Sequence, residues 1–172
     1  MPTIKELYDT FRNRVKQDRK ERLFKKYGFF ISFYIDVDQT VYAIPCGLDR
    51  TKTPGMVRDI AETDIVLTLT SPYTNEELEQ FIRKALDTCF EKEYRPGPTA
   101  LEKYFHKKTW LQAVKGLRHI HMYGSNETGC CMIAMERQGR RGYSGTETFE
   151  MGTSLSKGAL AETFLQALAL CR

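Results

Sequence analysis

Phe29-Phe30-Ile31-Ser32-Phe33-Tyr34-Ile35-Asp36 is the stretch on which the fold turns. It is aromatic and β-branched throughout. Phe29, Ile31, Phe33 and Ile35 fall on one face of an extended chain, and Phe30, Ser32, Tyr34 and Asp36 on the other. The pattern predicts a well-buried strand. The polar Asp38-Gln39-Thr40 then leads to Val41–Pro45, so the two runs read as an antiparallel hairpin. Upstream, Thr3-Ile4-Lys5-Glu6 fits a capping box. Ile4, Leu7, Tyr8, Phe11 and Val15 keep helical spacing, and Gly28 supplies a stop. The first element is therefore expected to be a helix that feeds the hairpin and turns its apolar stripe to the core.

Downstream, a loop through about residue 56 precedes a strand at Ile65–Thr70 that ends at Ser71-Pro72. Thr74-Asn75-Glu76-Glu77 is a second capping box, opening a helix over 75–93 with Leu78, Phe81, Ile82, Ala85, Leu86 and Cys89 on its apolar face. The rest of the chain repeats that order. A helix over 99–115 ends at Lys115-Gly116. Strands follow at 117–123, 130–136 and 146–152, and Ser156 caps a closing helix. A slide of 82 residues matches Leu78 with Leu160, Ala85 with Ala167, Leu86 with Leu168 and Cys89 with Cys171. Two readings stay open: pseudo-repeats covering 1–95 and 96–172, or two buried helix faces drawing on the same few residue types. In either case the expectation is an α+β fold, one domain over 1–172, with an antiparallel or mixed sheet and helices packed on it.

Composition narrows the function classes. Phe29–Ile35 and Ile65–Leu69, the longest apolar runs, fall well short of the ~20 residues a bilayer span requires. The N-terminal residues show no apolar signal segment, so a cytoplasmic, soluble chain is expected. Five cysteines, Cys46, Cys89, Cys130, Cys131 and Cys171, follow neither metal-site nor disulfide spacing and read as buried thiols. Neither a phosphate-binding glycine loop nor a G-x-S-x-G elbow is present, and no cofactor is expected.

His119-Ile120-His121 is the sharpest catalytic candidate, since alternate strand residues share a face and could offer two imidazoles to a metal or a phosphodiester. Zinc needs three or four ligands, and His106 is the only other histidine. The simpler reading is a pair of strand histidines, partly buried or at a rim. No catalytic residue and no metal ligand is assigned.

The net charge is +4, unevenly spread: residues 1–28 carry nine Lys/Arg against four Asp/Glu, and residues 57–94 four against nine. Such asymmetry steers charged partners. The residues expected to meet a partner are Asp59, Glu62, Asp64 and Glu76 on the acidic segment, with Arg137, Arg140 and Arg141 in the basic loop 137–143. That loop, Arg137-Gln138-Gly139-Arg140-Arg141-Gly142-Tyr143, also has the composition of a short RNA-binding element, and a small RNA-binding or nuclease-like domain using it with His119 and His121 is the alternative function. Nucleic acid is the less expected partner, because the acidic segment interrupts any continuous basic face.

Over about 65 residues the C-terminal half resembles the immunity proteins of contact-dependent growth inhibition systems, the CdiI group. The residues that carry the resemblance are Thr109-Trp110-Leu111-Gln112-Ala113-Val114-Lys115-Gly116, leading into a strand, and Ser154-Leu155-Ser156-Lys157-Gly158-Ala159-Leu160, opening the terminal helix. The resemblance implies a small bacterial cytoplasmic protein that binds the C-terminal toxin domain of a kin-directed effector, often a nuclease, and occludes it. It implies no catalytic residue. Inhibitors of basic nucleases are often acidic, whereas this chain is slightly basic, so binding would have to use a local acidic patch or a toxin that is not basic.

Overall fold

The computed structural model describes residues 4–51, 59–125 and 127–172. β1 (Phe29–Ile35) and β2 (Val41–Leu48) form the expected hairpin, with Phe33 opposite Ala43 and Tyr34 opposite Tyr42. Asp36 locks the turn: its carboxylate accepts from the Thr40 amide at 2.8 Å and from the Tyr42 hydroxyl at 3.0 Å. Gly28 ends the first helix, α1 (Ile4–Tyr27), as the sequence indicated. Its φ is +67°, and a Cβ there would stand 2.5 Å from the Gly124 carbonyl oxygen, so only glycine fits.

Two short strands, β3 (Ile60–Glu62) and β4 (Leu67–Leu69), cover the outer edge of β2. The sequence pattern suggested one strand at 65–70 and missed β3. Pro45 explains the interruption: it has no amide to give, and its carbonyl accepts from both the backbone amide of Thr63, at 3.1 Å, and the Thr63 hydroxyl, at 2.8 Å. On the other side of β1 run β5 (Arg118–Ser125), β6 (Gly129–Arg137) and β7 (Tyr143–Gly152). The order is β3-β2-β1-β5-β6-β7 with β4 also on β2, and every pairing is antiparallel. The fold is therefore α+β with an antiparallel sheet of seven strands. Two meanders meet at β1 and β5, one built from β1 to β4 and the other from β5 to β7.

Helices α2 (Asn75–Thr88) and α5 (Ala159–Leu170) lie together on one face. Ile31, Phe33, Ile120, Met122 and Met132 from the sheet, with Leu78, Ile82, Leu160 and Phe164 from the helices, are fully buried. Each such side chain contributes about 1.5–3 kcal/mol of transfer free energy, which makes this layer the main source of stability. Thr74 forms its capping box with Glu77 on α2. Ser156 does not cap α5; the N-cap is Gly158, at φ +84°, with no side-chain bond. The missing cap comes from the neighbouring helix. Glu79, 6 % exposed, accepts from the Ala161 amide at 2.8 Å and is paired with Arg83 at 2.7 Å.

The other face is covered by two short helices, α3 (Ala100–Tyr104) and α4 (Trp110–Ala113), over a smaller cluster that includes Tyr34, Tyr42, Ile44 and Val114. A single helix over 99–115 was expected. His106 breaks it by adopting φ +53°, and Thr99 and Thr109 each start a new segment by accepting from an amide three residues on. The helix expected over 75–93 stops at Thr88, with Cys89 as its cap and Phe90 at φ +63°.

α1 departs most from expectation. Of the apolar stripe, Val15 is 46 % exposed, and the Thr3 cap and the side chains of Ile4, Leu7, Tyr8 and Phe11 lie outside the described residues. The helix packs through its last turns instead, by Leu23, Phe24 and Tyr27, with Phe24 edge-on to Phe90 at 5.3 Å. All five cysteines are buried free thiols. Among the described residues no helix is long and apolar enough to cross a membrane.

Removing the Glu79 carboxylate strands a buried amide at the start of α5. Glu79→Ala is expected to cost about 2 kcal/mol, read as a lower midpoint in urea unfolding. An unchanged midpoint would show that the cross-helix cap carries no stability.

Candidate partner-binding cleft

Strand alternation decides which side chains meet on the second face. In the β1–β5 register Phe30 lies opposite Tyr123, Ser32 opposite His121 and Tyr34 opposite His119. α3 and α4 cover the Tyr34 end of that row. The other end remains open as the floor of a cleft of about 700 Å³, formed by Phe30, Ser32, His119 and His121. That volume is in the range of small-molecule sites and of pockets that accept a partner's projecting side chains.

The floor is a ladder of stacked rings. His121 lies over Phe30 with centroids 5.5 Å apart and planes 29° apart, and on its other side meets Tyr123 at 6.0 Å. His119 stacks on Tyr34 at 4.5 Å and 12° and takes the edge of Tyr143 at 4.9 Å. Tyr143 is itself anchored, its hydroxyl donating to the Leu117 carbonyl at 2.8 Å. The H-x-H pair is thus divided by its surroundings. His121 is half-buried, while His119 is 7 % exposed and neither of its ring nitrogens has a hydrogen-bond partner. Burial, aided by the neighbouring His121, pulls the His119 pKa down to about 3, so its ring is neutral at ordinary pH. Burial also pushes the Tyr34 hydroxyl well above its usual range, with the Glu62 carboxylate adding to the effect.

Three acidic positions expected to meet a partner, Asp59, Glu62 and Asp64, follow one another along the β3 wall of this cleft. Lys26 and Tyr27, at the end of α1, form a second wall. Arg95 and Lys103, before and on α3, form a third. The remaining expected positions lie elsewhere. Glu76 is exposed in the first turn of α2, on the opposite face of the sheet. Arg137 ends β6, and Arg140 and Arg141 sit on a 3-10 turn between β6 and β7, at the far side of the sheet from β3. Local structure accounts for that loop: Gly142, at φ +91°, lies against the Trp110 ring, where a Cβ would come within 3.1 Å. The seven expected positions therefore form no single patch.

Part of the charge asymmetry closes within the molecule. Lys20 on basic α1 pairs with Glu91 at 3.3 Å, Arg50 with Glu93 at 2.9 Å, and Lys92 with Asp64 at 3.3 Å. Such exposed pairs contribute little to stability. They do, however, reduce the charge left for a partner. Arg95 and Lys103 make no ion pair among the described residues. Sequence reasoning missed both, although Arg95-Pro96-Gly97-Pro98 marks a rigid turn that could have been noted as a wall. No group of three or more His, Cys, Asp or Glu among the described residues is placed to hold a metal.

No family model matches the chain, and no curated protein matches it. Among solved structures it is similar to the protein of unknown function NMB0488 from Neisseria meningitidis, with a TM-score of 0.60 over 86 % of this chain and 98 % of that one. Only 11 % of residues are identical, so the likeness shows a shared fold and nothing more.

His119 gives the fold a pH dependence. The folded ring binds a proton only near pH 3, whereas an unfolded histidine binds one near 6.5, so the unfolded chain holds the extra proton between those values. Stability should therefore fall as the pH drops through that window, by up to ~1.4 kcal/mol per pH unit from this residue. Urea unfolding at pH 7, 6 and 5 should show the slope, and His119→Phe should flatten it. Equal slopes in the two proteins would locate the acid sensitivity elsewhere.

Proposed function

We propose that this protein is an immunity protein that neutralises a cognate bacterial toxin domain, a nuclease in the leading case, by stoichiometric occlusion. The observation that carries the reading is the set of carboxylates on and beside β3, Asp59, Glu62 and Asp64, along an open cleft with an aromatic floor. A nuclease presents basic and aromatic side chains to its substrate. Carboxylates at an open rim speed the encounter with such a surface, and rings in a partly desolvated floor slow dissociation. The C-terminal resemblance to the CdiI group points the same way.

The division of the two histidines supports binding over turnover. A dyad working on a phosphodiester needs both imidazoles within hydrogen-bond reach of the substrate, and the nitrogens of His119 are enclosed. A cytoplasmic location is part of the same proposal, since the toxin would act there.

The test is to mix the purified protein with the toxin domain encoded beside its gene. A one-to-one complex on gel filtration, with protection of cells expressing the toxin, is expected. Asp59→Lys with Glu62→Lys should slow association at least about tenfold at low salt and much less at high salt. Absence of a complex would overturn the function. A complex whose association rate ignores the double reversal would overturn the assignment of the β3 wall.

A further inference from the structure

Most of α1 has no part in the toxin-binding reading. Its last turns are anchored: Leu23, Phe24 and Tyr27 pack on the core, and Lys20 donates to the Asp87 carbonyl and pairs with Glu91 at 3.3 Å. Before that anchor every residue from 12 to 19 is exposed, more than two full turns, so no face of this stretch is buried. It is also strongly basic. Arg12, Arg14, Lys16, Arg19, Arg22 and Lys25 are all exposed, and none makes an ion pair among the described residues. The acids interspersed with them are engaged otherwise. Glu21 accepts from the Gln17 amide at 3.3 Å, and Arg22 donates to the backbone carbonyl of Asp18 at 3.2 Å.

Such a helix is under electrostatic stress by itself. Residues three and four apart are neighbours on a helix, and Arg12, Lys16, Arg19, Arg22 and Lys25 follow that spacing without a break, so like charges repel along its length. No apolar stripe offsets the repulsion, since Val15 is the only apolar residue between Arg12 and Arg22. A polyanion against the helix would relieve it. The distribution of charge selects the kind of polyanion. Helical spacing sets Arg12, Lys16 and Arg19 along one flank and Arg14 and Lys25 along another, with Arg22 between them. A duplex groove carries a phosphate backbone on each side, and a major groove about 12 Å wide takes a helix about 10–12 Å across. A bilayer meets a helix from one side and holds it by a buried apolar face, which the stretch from Arg12 to Arg22 lacks. Arginine, which supplies four of the six cations, bonds phosphate oxygens in pairs.

We propose that the exposed part of α1 is a basic arm that binds the phosphate backbone of a nucleic-acid duplex, without regard to base sequence, through Arg12, Arg14, Lys16, Arg19 and Arg22. DNA and RNA duplexes share this chemistry. These residues take no part in lining the cleft, and the binding is a property of the protein alone, independent of any toxin.

Fluorescence anisotropy with labelled DNA duplexes of two unrelated sequences and an RNA duplex of equal length tests it, alongside sedimentation with vesicles of phosphatidylglycerol and phosphatidylcholine. Both DNA sequences are expected to bind alike, with a dissociation constant on the order of micromolar in about 50 mM salt, and at least about a hundredfold more weakly in about 200 mM. Arg12→Ala with Arg19→Ala and Arg22→Ala, all at exposed positions, should weaken binding at least about tenfold at low salt and reduce the slope of log K against log salt by about 2–3. Lysine at the same three positions should keep the slope, which separates charge from any change in the helix. Arg137→Ala with Arg140→Ala and Arg141→Ala should leave the affinity unchanged. Tighter binding of the DNA duplex than of the RNA duplex would identify DNA as the source, and the reverse would identify RNA. Four results would overturn the proposal while leaving a toxin complex untouched: no binding at about 100 μM protein in low salt, a salt slope unaltered in the α1 alanine variant, an equal loss in the 137–141 variant, or capture by the vesicles without capture of either duplex.

Discussion

The antiparallel pairing of β1 with β5 is the constraint on which the rest of the molecule depends. Seven residues pair on each strand, from Phe29 with Gly124 to Ile35 with Arg118, and they join the two halves of the chain into one sheet. Because strand side chains alternate, this one register assigns every residue of both strands to a face. Ile31, Phe33, Ile120 and Met122 go to the side of α2 and α5. Phe30, Ser32, Tyr34, His119 and His121 go to the side of the cleft. A slip of one residue would move the histidines into the main core and the isoleucines to the cleft, at a cost of many buried apolar contacts. The site is thus held by the same energy that holds the fold.

The two faces are finished differently. Face one is sealed by two apolar helices whose mutual fit includes the cross-helix cap from Glu79 to Ala161. Face two receives α3 and α4, which have five and four residues and reach only the Tyr34 end. Both helices pack on the cluster around Tyr34, while Phe30, Ser32 and His121 on the same face line the cleft. Its walls belong to α1, β3 and the segment before α3, elements drawn from separate parts of the chain.

Electrostatics in the structure are more local than the charge map of the chain suggested. Basic α1 and the acidic segment after α2 meet each other through Lys20 and Glu91, so part of the asymmetry is an internal contact rather than a signal to a partner. Arg95 and Lys103, which line the cleft and make no ion pair among the described residues, come from a stretch outside both charged segments. Net charge over a window averages away the distinction between a paired and an unpaired group.

What the sequence determined by itself was whatever depends on neighbours along the chain. The β1–β2 hairpin, the Gly28 stop, the Thr74 capping box and the apolar faces of α2 and α5 were all legible, because alternation, helical spacing and capping act within a few residues. Tertiary structure alone decided the rest. It created β3 by pairing Ile60–Glu62 with an available edge, broke the 99–115 helix, and replaced a local Ser156 cap by Glu79 from another helix. It also sorted seven expected partner residues into three in the cleft and four outside it. It enclosed His119 while leaving His121 at the surface, although the two are separated by a single residue. In each case the outcome turned on which distant segment came to lie against the residue, and that is fixed by burial and packing over the whole sheet rather than by local sequence.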